Sequence, residues 1–193
     1  MLAGMKATLR TALFLLGGLS LAWLPAAQAT TIRARTTEQL FRDSGLVAVA
    51  RVQEVRSEQV GGRIITRATL EVTEALKGTA NAAKVEVVVP GGQVGEWVQR
   101  VEGTPSLTKD ESCVVFLTQA GASRFQFAGL EQGKLRIEAS AKDPLGGVVR
   151  RSSTARLVEQ PATGTLRDVV RPAETEPLKP YLENLRRLSR EAR

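Results

Sequence analysis

The chain contains no histidine and a single cysteine, Cys113. The missing histidine excludes Ser-His-Asp and Cys-His nucleophilic catalysis, and the usual His-containing zinc sites. With one cysteine, no internal disulfide can close, so packing must supply the stability. Cys113 sits in the apolar run CVVFL, where a free cysteine behaves as a small hydrophobe. Aromatics are only 4% of the 193 residues, and the basic residues are interspersed. A nucleic-acid surface needs a concentrated basic face with aromatic platforms, so this composition argues against one. Beyond the N-terminus no apolar run is long enough to span a bilayer, so no transmembrane segment is expected.

What is present begins with a leader. Lys6 and Arg10 form a basic region, Thr11 to Leu24 is an apolar run, and Ala27-Gln28-Ala29 is a small-x-small cleavage site. Residues 1–29 therefore read as a signal peptide, with export to the periplasm or medium after cleavage near Ala29. Met5 serves equally well as a start. Removing Lys6 and Arg10 from the formal +7 leaves the remaining chain about +5. Its length suits one domain.

The pattern after the leader is mainly β. Thr36 to Asp43 reads as a short helix, with capping-box spacing between Thr36 and Gln39. Leu46 to Val55 reads as a strand, and Gly61-Gly62 as a hairpin turn. Arg63 to Leu76 alternates with period two. Ile64, Thr66, Ala68, Leu70, Val72 and Leu76 fall on one face, as in a half-buried strand. Further strands are expected at Lys84–Pro90, Cys113–Thr118, Arg124–Ala128 and Lys134–Glu138, with a weak seventh within Lys142 to Arg151. Such spacing indicates a small closed or partly open antiparallel barrel, or a sandwich, over residues 30–160. Ser152 to Glu159 has no clear pattern. The linker and tail, 161–193, include a short helix expected over Thr165 to Arg171. A longer one over Pro177 to Arg193 carries Leu178, Tyr181, Leu182, Leu185 and Leu188 as an apolar stripe. That amphipathic helix either docks on the barrel or, through its arginines, touches an anionic surface or a partner's groove.

The candidate site is the long excursion between the strands at 84–90 and 113–118, because long ordered loops are disproportionately functional. Gly91 and Gly92 permit unusual backbone and close approach. Trp97, Gln99 and Arg100 follow as contact residues, since Trp and Arg are typical interface anchors. Trp97 either projects for binding or folds back over one barrel end. The glycines do not open a helix with a terminal Lys-Ser/Thr, so phosphate binding is not indicated. Glu96, Asp110, Glu111 and Asp143 are the carboxylates from which an acid-pair hydrolase or calcium site would have to be drawn, but their spacing is not that of ligands. No catalytic residue, metal or cofactor is expected.

GLVAVARVQEV, GGRIITRATLEVTEALKG and VEVVVPGG together resemble the opening of netrin-like, OB-type β-barrels, the fold of the tissue inhibitors of metalloproteinases. PGGQVGEWVQRVEGTP followed by SCVVFL is also similar to a group of uncharacterised exported bacterial proteins. The resemblance covers about residues 45 to 118. It implies the barrel and a binding habit, but no residue role transfers. Those inhibitors use an N-terminal cysteine, whereas this chain has Thr30 at the expected mature N-terminus. The expected function is thus non-enzymatic: binding of a protein or envelope component through the 91–108 loop. The alternatives are inhibition of an exported protease by another contact and, less favoured, acid-pair hydrolysis.

Overall fold

The computed structural model describes residues 31–78, 84–121, 124–140, 146–151, 156–159, 167–169 and 174–192. The leader, its cleavage site, the 161–166 linker and Asp143 lie outside them.

In chain order the elements are β1 (Thr31–Arg33), α1 (Thr37–Asp43), β2 (Leu46–Val60), β3 (Arg63–Lys77), β4 (Lys84–Pro90), β5 (Gly92–Val94) and β6 (Trp97–Gln99). Next come β7 (Ser112–Gln119), β8 (Arg124–Phe127), a 3-10 turn (Leu130–Gly133), β9 (Lys134–Ala139) and β10 (Gly147–Arg151). The last are β11 (Arg156–Glu159), β12 (Arg167–Val169), β13 (Thr175–Pro177) and α2 (Leu178–Glu191). The protein is mainly β, as its alternating pattern requires. The helix expected over 165–171 is corrected: Arg167–Val169 is a strand paired with β11, and so is the unassigned Arg156–Glu159, which joins β1 in parallel. Backbone pairing across three segments far apart in sequence overrides a weak local apolar pattern.

Five strands close into a ring. β2 pairs with β3 and β7, β3 with β4, β4 with β8, and β8 with β7. All these pairings are antiparallel except β4–β8, which is parallel. The ring interior is one hydrophobic core, with Leu46, Ala48, Val52, Leu70, Val87, Cys113 and Val115 among its buried members. Beyond the ring the sheet continues through β9, β10 and β13.

A second core lies on the opposite face, under the helices. α1 contributes Leu40 and Phe41; β2 and β7 contribute Val47, Val114 and Phe116; α2 contributes Tyr181 and Leu185. The Thr36 capping box forms as expected. β7 reads as continuous apolar sequence because it is buried on both faces.

Leu76 is a second correction. It lies in this outer core rather than with Leu70. Ala50 pairs with Val72 and Val49 with Glu74, so the ladder passes over Thr73. A bulge inserts one residue and switches the faces beyond it. Strict period-two counting from Ile64 therefore fails at Thr73.

The candidate binding rim

The excursion from Gly91 to Glu111 folds as a short hairpin, β5–β6, followed by a return segment. The hairpin is tied to the mouth of the ring by buried and part-buried polar contacts. The Gly91 N–H donates to Ile64 O at 2.8 Å, and the Ile64 N–H donates to Gln99 Oε1 at 2.8 Å. Thr66 Oγ1 donates to Gly91 O at 2.7 Å. With that proton committed, Ser57 Oγ is the donor in its 2.8 Å contact with Thr66 Oγ1.

Both glycines are required sterically. Gly91 has φ +87°, and a Cβ there would lie 2.7 Å from Gln99 O. Gly92 has φ +136°, and a Cβ there would lie 2.3 Å from Thr66 Oγ1 and 2.4 Å from Ser57 Oγ. These are the conditions under which only glycine fits without strain.

The return segment is clamped separately. The Glu131 N–H donates to Gly103 O at 2.8 Å. Lys134 Nζ donates to Ser106 O at 2.5 Å and lies 2.5 Å from Glu111 Oε1. That carboxylate also accepts from the Thr108 N–H at 3.0 Å. Val52 exchanges backbone bonds with Asp110 and Glu111 at 2.8 and 2.9 Å. Leu107 packs on the ring core.

Between hairpin and return segment, the mouth of the ring opens as a groove of about 650 Å³. It is lined by Val55, Val89 and Leu107, which belong to or pack on the ring core, and by Val98, Val101 and Pro105. Trp97 stands at the hairpin tip, 78% exposed, so it does not fold back over the ring.

The five residues singled out in the sequence thus divide by role. Gly91, Gly92 and Gln99 fasten the hairpin, while Trp97 and Arg100 face water. Arg100 lines the groove with Glu102, and neither pairs with a described residue.

Among the described residues, the singled-out carboxylates Glu96, Asp110 and Glu111 do not converge. Glu96 is exposed beside Trp97, Asp110 pairs with Arg51 at 3.1 Å, and Glu111 is buried against Lys134. Pattern reading missed the buried pair itself, and it missed Glu131, which is buried and lines a small pocket with Glu111, Lys134 and Arg136. An ion pair between positions 111 and 134 leaves no periodic signal in the chain. Among the described residues no cluster of three or more His, Cys, Asp or Glu is arranged to hold a metal.

Cys113 is wholly buried, with Sγ 3.7 Å from Ala50 O. Burial pushes its thiol up to about 12, an effect Lys134 opposes and Glu111 reinforces. It is a core residue, as its apolar neighbours predicted.

α2 is docked, with Tyr181 and Leu185 buried in the outer core and Arg186 on Glu74 through two bonds of 2.9 and 3.0 Å. Among the described residues, no helix is long and apolar enough to cross a membrane.

Comparison with protein-family models, with curated proteins and with solved structures gave no match.

Proposed function

We propose that this chain is an exported, non-enzymatic binding domain that contacts a protein or envelope component through the 91–108 rim. In this reading the five-strand ring is a small OB-type or netrin-like barrel. The ring order β2-β3-β4-β8-β7, closed by the one parallel pair β4–β8, supports that assignment. Trp97 and Arg100 make the contacts, and Gly91, Gly92 and Gln99 hold the rim in place.

The observation that carries the reading is Trp97: a large aromatic side chain left 78% exposed on a hairpin that is itself firmly fastened. With Val98 and Val101 also exposed in the same run, Trp97 belongs to an apolar patch of the kind that marks interaction sites. A fastened hairpin also loses little entropy when it binds, which is how preorganised contacts gain affinity.

The test is a photo-crosslinking residue at Val98 in the producing cell, followed by mass spectrometry of the adduct. The expected result is one dominant protein adduct in the envelope fraction, lost in Trp97→Ala with Arg100→Ala. An adduct yield unchanged in that double variant ends the rim assignment. N-terminal sequencing of the exported protein tests the leader, with a start near Thr30 expected.

A further inference from the structure

We propose that the partner of the rim is a second copy of this chain, the two copies meeting rim to rim about a twofold axis. The inference rests on the binding reading above and names its partner.

Knob and hole occur on the same rim. Five large hydrophobic residues are exposed among those described, and three of them, Trp97, Val98 and Val101, fall within one five-residue run. That run borders the 650 Å³ groove, whose lining includes Val89 of the ring core and Val55 packed against it. That volume is within the range of pockets that enclose a bulky apolar group. A surface carrying both a projecting indole and an apolar hole next to it can satisfy both at once against its own copy. Such an isologous contact is self-complementary and closes at two subunits.

The charges on the rim point the same way. Arg100 and Glu102 are two residues apart, opposite in sign, both on the groove, and pair with no described residue. A twofold axis near Val101 sets Arg100 of one copy opposite Glu102 of the other, and Glu102 opposite Arg100. Both unpaired charges then gain a partner, and Val101 meets Val101 between them. A partner of uniform charge would satisfy one of these residues and repel the other, so electrostatic complementarity favours a +/− strip read in reverse, which this chain itself supplies.

The experiment is sedimentation velocity on the protein as purified from its producing cells, over a concentration series reaching ~100 μM, a range that detects even weak association. A monomer–dimer equilibrium is expected. Trp97→Ala is expected to raise the dissociation constant at least about tenfold, as for a central aromatic anchor. Arg100→Glu and Glu102→Arg are each expected to weaken the dimer, and the double exchange to restore it. All these side chains are at the surface, and circular dichroism checks that each variant keeps the wild-type fold.

A monomer throughout the series overturns the proposal. So does a dimer indifferent to Trp97→Ala, or a double exchange no tighter than the single ones. Crosslinking at Val98 separates this failure from that of the wider reading. A monomer that still yields a single adduct with another protein refutes self-association and leaves the binding rim standing. A monomer with no adduct removes both.

Discussion

Lys134 Nζ lies 2.5 Å from Glu111 Oε1, and the two side chains are only 7% and 4% exposed. Lys134 comes from β9 and Glu111 from the end of the excursion, so their contact pins the return segment to the sheet. The pair also satisfies backbone: Ser106 O through the lysine and the Thr108 N–H through the carboxylate. Lys134→Met is therefore expected to lower stability by about 3–5 kcal/mol, because it leaves a buried carboxylate with the half-exposed Arg136, 3.9 Å away, as its remaining described counter-charge. Replacing both partners, Lys134→Met with Glu111→Leu, is expected to recover part of that loss, since Ser106 O and the Thr108 N–H still lose their side-chain partners. Urea unfolding of the two variants measures the difference, and a double variant no more stable than the single one contradicts it.

Cys113 gives a pH prediction with a definite sign. Its folded thiol is raised from 9.0 to about 12 by burial. The unfolded chain therefore loses that proton first as the pH rises. The contribution to stability is full below pH 9 and is lost as the pH rises through 9 toward 12, to a limit of roughly 4 kcal/mol. Tyr181, raised chiefly by burial, and Lys77, lowered chiefly by burial, add their own pH dependence at alkaline pH. The informative quantity is the difference between wild type and Cys113→Ala. The wild type is expected to lose more stability than the variant above pH 9. In the folded protein at pH 7, thiol reagents are expected to label Cys113 only as fast as the chain opens.

Gly92 tests the fastening of the hairpin. A Cβ there would meet Thr66 Oγ1 and Ser57 Oγ well inside contact distance, at a positive φ. Gly92→Ala is expected to cost about 1–3 kcal/mol and to loosen β5–β6 from the ring. Amide exchange at Ile64, whose N–H is held by Gln99, is expected to quicken. Trp97→Ala, by contrast, removes an exposed side chain and is expected to change stability by less than about 0.5 kcal/mol. A large stability loss in Trp97→Ala would show the indole to be packing material rather than contact surface.

The C-terminal helix separates buried from exposed contributions. Leu185 is fully buried against the outer core, so Leu185→Ala is expected to cost about 2–5 kcal/mol. Arg186 holds Glu74 by two bonds, but both side chains are roughly two-fifths exposed. Arg186→Ala is expected to cost less than about 1 kcal/mol. Thermal unfolding of the two variants checks the ranking, and equal losses contradict it.

Strands were legible wherever one face was buried and the chain alternated. β3 was visible through its period of two as far as Val72, and β7 through its unbroken apolar run. Leu76 was misplaced because the bulge at Thr73 is set by pairing with β2, and nothing in TEALK announces it. The segment 165–171 read as helix because Leu166, Val169 and Val170 are spaced like one, whereas Arg167–Val169 extends alongside β11. At the rim, glycine and tryptophan singled out the 91–108 stretch. Their division of labour was not legible, because it depends on Ile64, Ser57 and Thr66 lying beneath the hairpin.

Composition and pattern alone determined that the chain carries no histidine chemistry and no internal disulfide. They also determined that it folds mainly as strands and ends in an amphipathic helix. These properties follow from residue identity and local period, which need no knowledge of distant neighbours. Tertiary structure decided that five strands close on one another and that α2 covers the outer face. It also paired Glu111 with Lys134 and turned Trp97 to water while Gln99 turned inward. Each of these depends on contacts between segments far apart in sequence, whose register is set by bulges and buried polar bonds, and single-residue pattern carries no information about either.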